Sequence, residues 1–437
     1  MIKIVFIGAG SFVFAKSLIG DCMLTPCLHQ SEFALLDIDE ERLQLAEQMI
    51  SNLNQNINDG RAIVKAYRNQ REALKNADFV INAIQVGGYD ECITRDFEIP
   101  MKYGLEQTYG DTLGIGGIFR GLRTIPVLQG IIKDMEEVCP DALLLNYTNP
   151  MCIVTGAILK SSSIKTIGLC HSVQRCAGEL LHAVGIQEST ETPGNVDYEI
   201  AGINHQAWLL QIRKDGKDIY PQIKERAKAI GRNCNDAVRL EILNQFGYYV
   251  TESSVHTAEY TPYFIKRNYP QLKQEYGLRT DMYLYWDEEH KAYWEQAHKE
   301  IVENANLTHE RTLEYASYIM EAMVTGKPIK INANVLNKGY IKNLPENSCI
   351  EVPCTVDKKG VHPCEVGELP IQCAALNRTN INVQDLTIEA ALTGNKHYVY
   401  LAAMMDPHTA AELSIEDIVK LCDEMISENK KWLYMFQ

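Results

Sequence analysis

Positive charge is scarce in this sequence: 42 Lys and Arg face 57 Asp and Glu, leaving a formal net charge of −15 over 437 residues. Neutralising nucleic-acid phosphates or an anionic bilayer takes clustered Lys and Arg, so no nucleic acid or membrane partner is expected, and the substrate should be small. Long apolar runs are missing as well. No uncharged stretch reaches the roughly 20 residues that span a bilayer, and Met1-Ile2-Lys3-Ile4-Val5-Phe6 leads into a glycine turn without a signal-cleavage pattern. A cytoplasmic location follows as an expectation. Low-complexity tracts, internal repeats and Gly/Ser linkers are also lacking, which predicts order nearly end to end. The 13 cysteines are an odd number scattered over a long chain, unlike the dense framework of a small secreted domain. Most are expected to be reduced and buried, with one in a special role.

The first part of the chain alternates apolar runs with helical patterns. Ile2–Ile7 is continuously apolar except at Lys3, as suits a strand covered on both faces of a parallel sheet. Phe33–Leu36 ending at Asp37, Phe79–Ala83 after a polar helix at 70–77, and Ala142–Leu145 repeat the pattern. The prediction is an α/β protein whose residues 1–165 form a Rossmann-like doubly wound parallel sheet. Further on come strand-like 166–169 and 197–202, helical 173–184, a polar helical stretch over 286–323, short β-like pieces over 327–357 and helices from 384. These predict a C-terminal α+β domain over 166–437, packed on the first and carrying metal binding, catalysis and oligomerisation.

Gly8-Ala9-Gly10-Ser11, between a buried strand and a helix, is the turn that lets backbone N–H groups and a helix N-terminus face a pyrophosphate. Asp37, at the end of the second strand, is placed to accept from a ribose hydroxyl and favours NAD over NADP, whose 2′-phosphate would meet like charge. The third motif position holds Val13 instead of Gly or Ala, and a tight turn in an unrelated α/β protein is the competing reading. Asn82 ends a strand where the sheet overlooks a cofactor, or else caps that strand.

Cys170 and His205 each follow an apolar strand-like segment. A thiolate and an imidazole at two strand ends, with other positions open to water and substrate, are able to hold a catalytic divalent metal. Their spacing matches no zinc-finger pattern, and from spacing alone a buried core Cys with a hydrogen-bonded loop His is the stronger reading of the pair.

A set of ordered motifs adds to this. Phe6–Ser11, Leu36-Asp37-Ile38-Asp39, Asp111–Gly114 running to Arg123–Pro126, and Asn149-Pro150-Met151 form its first half. Gly168–Val173, Ala201–His205, Thr251–Ser254 through Glu259–Pro262, and Met404–His408 form its second. Together they resemble the NAD-dependent family-4 glycoside hydrolases, most closely the α-galactosidase branch. Members of that family dispense with the usual pair of catalytic carboxylates.

The resemblance implies a redox route for a small α-galactoside: oxidation at sugar C3 by NAD, deprotonation at C2, elimination at C1, water addition and re-reduction. By the same resemblance Cys170 and His205 are metal ligands, for Mn2+ or another divalent ion, and His171 is the general acid. Asn149 contacts the C2 and C3 hydroxyls. Asp111 supports the base or contacts substrate, and Arg95 matches a substrate-contacting position in some members. Ser254 cannot serve unaided at neutral pH, so the C2 base is expected to be His256, with Glu252 or a metal-bound hydroxide as the other candidates. A homodimer or homotetramer is expected. α-Glucosidase and α-galacturonidase activities stay open within the family. Outside it, a plain NAD-dependent hydroxy-acid dehydrogenase and a non-catalytic sensor of dinucleotide or sugar remain as alternatives.

Overall fold

Short apolar runs become the central strands of one sheet. In chain order the strands are β1 (Lys3–Ile7), β2 (Glu32–Leu36), β3 (Ile63–Tyr67), β4 (Phe79–Asn82), β5 (Leu143–Asn146), β6 (Lys165–Gly168) and β7 (Val196–Ile203). They continue as β8 (Gln206–Lys214), β9 (Lys217–Asp218), β10 (Tyr249–Val250), β11 (Ile329–Leu336), β12 (Cys349–Asp357) and β13 (Gly360–Pro363). This computed structural model describes residues 1–187, 196–232, 234–284, 289, 292, 295–296 and 298–436, with the backbone alone at 89–90.

β3-β2-β1-β4-β5-β6 pair in parallel in the doubly wound order, with β1, β4 and β5 buried along their whole length. The expected boundary at residue 165 falls inside this series. β6 pairs in parallel with β5 from Leu143↔Lys165 to Asn146↔Gly168, because Thr166 and Ile167 are buried with the other strands. Its far side meets β11 in antiparallel sense at Asn334↔Gly168, and the order runs on through β12, β7, β8 and β10. The second half therefore extends the first half's sheet and is not merely packed on it.

Two helical expectations change. Within 286–323 the described residues 289, 292 and 295–296 are helical, as expected, and the π-helical turn His298–Val302 follows, but 303–314 is not helical before Tyr315–Thr325 begins. Residues 286–288, 290–291, 293–294 and 297 lie outside the described residues. Before Tyr315 the chain is drawn to the first helix by Asp21, fully buried, which accepts from the Thr312 N–H at 2.7 Å and faces His309 Nε2 at 2.7 Å. The closing helices start earlier than 384, with Ile371–Thr393, which packs on the helices Gly114–Val138 and Met151–Ser161.

Gly114–Val138 carries one wall of the site and is fixed by charge. Both terminal nitrogens of Arg123 donate to Asp96, at 2.8 and 2.5 Å, with the two side chains 1% and 3% exposed. Removing one partner of such a pair leaves a buried charge uncompensated and costs about 3–5 kcal/mol. Asp96→Leu should lower unfolding stability by about that amount in urea titrations, and Asp96→Leu with Arg123→Met should recover a large part of it. Equal losses in the single and double variants would mean the pair does not hold the helix.

Candidate active site and metal centre

The C-terminal ends of β1, β4, β5 and β6 open on one edge of the sheet, where doubly wound folds bind ligands. After β1, Gly8 has φ +92°, and a Cβ there would stand 2.6 Å from the Ala83 carbonyl oxygen, so only glycine fits. The Gly10 N–H donates to Asp37 Oδ2 at 2.7 Å, and the helix Phe12–Met23 starts after Ser11 with no side-chain cap. An uncapped helix N-terminus beside a strand-end carboxylate suits a dinucleotide's pyrophosphate and ribose. Val13 is half-buried and leaves the turn intact. Asn82 is fully buried and its Nδ2 donates to Asn146 Oδ1 at 2.8 Å and Thr148 Oγ1 at 3.1 Å. It braces β4 against β5, and its Oδ1 has no partner among the described residues.

At the same edge three loops converge. Cys170 follows β6, His205 sits in the tight turn between β7 and β8, and Glu252 follows β10, which pairs with β8 at Val250↔Trp208. Cys170 Sγ lies 3.4 Å from His205 Nε2, and His205 Nε2 lies 3.4 Å from Glu252 Oε2. One ligand atom from each residue lies within 4.8 Å of the others. Such separations suit donors about 2.0–2.4 Å from a shared cation. His205 and Glu252 both take left-handed backbone, φ +62° and +65°, a costly conformation for residues with a Cβ and one concentrated at functional sites. His205 Nδ1 stands 2.9 Å from the Tyr260 hydroxyl. In the tautomer a cation needs, Nδ1–H donates to Tyr260 and Nε2 keeps its lone pair for the metal. Glu252 was expected as a candidate base; its position beside Cys170 and His205 also lets it serve as a third ligand.

The electrostatics of the pocket point the same way. Burial, reinforced by the negative charges of Glu351 and Glu252, pushes the Cys170 thiol up to about 12. Burial pushes Glu351 up to about 7; its Oε1 accepts from Asn334 Nδ2 at 3.2 Å, while Oε2 has no partner among the described residues. A cation is the species that would turn this thiol into a thiolate.

Beside the cluster, Asp111 Oδ2 accepts from Asn149 Nδ2 at 3.2 Å, and Asp111 Oδ1 lies 3.5 Å from His256 Nε2. His256 Nδ1 is 2.9 Å from Ser253 Oγ, and Tyr109 stacks on the ring with centroids 4.1 Å apart. Burial alone would lower His256 and raise Asp111. Their mutual contact outweighs it, so His256 is raised and Asp111 is held well below the usual carboxylate range. Both ring nitrogens of His256 face protein oxygens, Asp111 Oδ1 and Ser253 Oγ, which weighs against the expectation of His256 as a free base. Asp111 is the member of the pair that lines the adjoining cavity of about 540 Å3, together with Gln85, Phe97, Tyr109, Arg120 and Met282. His171 caps the start of Ser172–Ala183, its ring 54% exposed and 3.8 Å from Glu314. Arg95 donates to the Glu428 carbonyl at 2.8 Å, joining two helices, and is not among the residues lining the cavity.

Arg120, Tyr260 and Glu351 escaped the sequence reading. Only Tyr260 lay inside a quoted motif, and its contact with His205 spans 55 residues, a distance no local pattern reports.

Sheet order, glycine turn and ligand cluster define a class, a dinucleotide-fold enzyme with a metal-competent centre. Within that class the chain belongs to glycosyl hydrolase family 4. Residues 3–186 match "Family 4 glycosyl hydrolase" and residues 200–409 match its C-terminal domain. It is 55% identical over 99% of both chains to an α-galactosidase of Bacillus subtilis (strain 168). It is 35% identical to an α-galactosidase of Rhizobium meliloti (strain 1021), over 99% of this chain and 89% of that one. A 6-phospho-β-glucosidase structure from Thermotoga maritima, holding manganese, NAD+ and glucose 6-phosphate, superposes with TM-score 0.78 at 21% identity, over 99% of both chains, and shows the shared fold. The family resemblance drawn from the motifs is thereby borne out.

Because the Cys170 thiol must lose its proton to ligate, Mn2+ affinity should rise with pH from 6 to 9, with proton release visible by calorimetry in buffers of different ionisation enthalpy. Glu252→Gln should weaken Mn2+ binding at least about ten-fold, as is usual for a lost ligand. Unchanged affinity in that variant would remove Glu252 from the ligand set.

Proposed function

We propose that this enzyme hydrolyses small α-galactosides by oxidation at sugar C3, deprotonation at C2, elimination at C1, water addition and re-reduction. The observation that carries this reading is the meeting of Cys170, His205 and Glu252 with the Asn149–Asp111–His256 chain at the edge above the glycine turn. The 55% identical relative, named α-galactosidase, supports the choice of sugar. When bound, NAD supplies a reversible hydride acceptor, and a divalent cation, manganese in this reading, supplies charge that stabilises a developing enolate.

The chain's own groups divide the remaining work. Gly8, Ala9, Gly10 and Ser11 present backbone N–H groups to the dinucleotide, and Asp37 takes its ribose. Cys170, His205 and Glu252 hold the cation. Asn149 orients the C2 and C3 hydroxyls. C2 deprotonation falls to the Asp111–His256 pair, with Asp111 facing the cavity and His256 in contact behind it. His171, half open to solvent, gives a proton to the departing oxygen.

All 13 cysteines are free thiols, which supports a reducing, cytoplasmic setting. The working unit is taken to be a homodimer or homotetramer. Among the described residues no helix is long and apolar enough to cross a membrane.

Turnover of an α-galactoside in D2O, with NAD+, Mn2+ and a thiol, should give galactose labelled at C2 without net NADH. Stoichiometric NADH would point to a plain dehydrogenase. Unlabelled product, together with no rate effect for C2-deuterated substrate, would remove the elimination route. His171→Ala should slow alkyl galactosides far more than nitrophenyl galactosides, because an aryloxide leaves without a proton; equal slowing would take the acid role from His171.

A further inference from the structure

The helix Gly114–Val138 carries two arginines one turn apart with opposite surroundings. Arg123 has a carboxylate clamped on both terminal nitrogens. Arg120 lines the cavity and is half-buried, yet among the described residues its guanidinium makes no hydrogen bond or ion pair; only its backbone carbonyl is used, accepting from Thr124 Oγ1. Buried polar groups are nearly always satisfied, and a guanidinium offers five donors in a planar fork suited to paired oxygens. Burial lowers the pKa of Arg120 against the opposing field of Asp111, as expected of a cation short of solvent.

We infer that Arg120 is a substrate-binding residue that donates its guanidinium fork to hydroxyl oxygens of a neutral glycone, on the side of the ring away from the metal-binding cluster. This rests on the glycosidase reading above and adds to it a contact and a charge preference. The preference follows from what surrounds the fork. Asp96, Asp111 and Glu289 also line the cavity, and Arg123 is spent on Asp96. Among the described lining residues Arg120 is therefore the one cation not matched to a carboxylate of its own, and Asp111 and Glu289 face it across the cavity. A carboxylate or phosphate on the sugar would meet net negative charge, whereas hydroxyls supply acceptors without charge. Phe97 and Met282 give the same cavity an apolar wall against which the carbon face of a pyranose ring packs.

The test is equilibrium binding to the NAD+- and Mn2+-loaded enzyme, by calorimetry, of galactose, glucose, galacturonate and glucose 6-phosphate. Arg120→Met and Arg120→Lys are compared with wild type, and KM and kcat for nitrophenyl α-galactoside are measured alongside. The neutral sugars should bind wild type more tightly than either anion. Arg120→Met should weaken the best-bound sugar about ten-fold or more, the size expected for hydrogen bonds to a charged group. Arg120→Lys, which keeps the charge without the fork, should recover only part, with KM rising more than kcat falls. If Arg120→Met binds as tightly as wild type, the Arg120 assignment is overturned while the glycosidase reading stands. If glucose binds best and only that binding is lost, Arg120 is upheld and the galactoside reading falls. Tighter binding of galacturonate or glucose 6-phosphate to wild type overturns the neutral-glycone preference. Failure of wild type to bind any of the four overturns both.

Discussion

The molecule is organised around one expensive juxtaposition: a thiol, an imidazole and a carboxylate held with their ligand atoms within 4.8 Å in a mostly buried pocket. Without a cation the arrangement opposes itself, since Glu252 and the deeper Glu351 both work against a thiolate at Cys170. Holding these groups together takes a rigid frame, which the sheet provides. Cys170 hangs from a parallel strand, His205 from an antiparallel turn and Glu252 from the end of a strand at the sheet's far edge. Left-handed backbone at two of the three positions shows where the frame, not local preference, dictates conformation.

A second set of contacts holds the cavity wall against this frame. Glu259, buried and pushed up to about 7 by burial, accepts from the backbone N–H groups of Thr108 at 2.9 Å and Gly110 at 3.1 Å. That fixes the loop leading to Asp111 and the helix bearing Arg120. Glu259 and Tyr260 are neighbours in sequence: one fixes the loop that leads to the cavity and the other holds the His205 ring. Metal geometry and cavity shape are therefore set by the same short segment, and a change at either residue would be felt at both places.

The parallel half of the fold was legible in the sequence because its strands are covered on both faces, and Ile4–Ile7, Phe79–Ile81 and Leu143–Leu145 read as unbroken apolar runs. The glycine turn and Asp37 were legible because a backbone constraint at Gly8 leaves a glycine behind. The antiparallel half was only partly visible. β11 and β12 belong to the sheet through pairings with strands more than 100 residues away, such as Asn334↔Gly168 and Glu351↔Gly202. Cys170 and His205 could be named from family motifs, but the meeting of Glu252 with them and of His256 with Asp111 needed distances. Arg95 and Arg120 illustrate the limit. Both are arginines on helices, and nothing in their local sequence tells which one is tied to a carbonyl and which one lines the cavity.

The continuity of the sheet across β6 and β11 has an implication for how the halves depend on each other. In many two-domain enzymes a hinge between lobes lets each lobe persist alone. Here the strand order crosses the boundary at the pair Asn334↔Gly168, so parting the halves would bare the edge of the four-residue strand β6 rather than a finished surface. A bare edge of that kind recruits strands from other chains. The nucleotide-binding half is thus not a portable module, and shuffling it onto a different partner would require that partner to donate a matching strand beside Gly168.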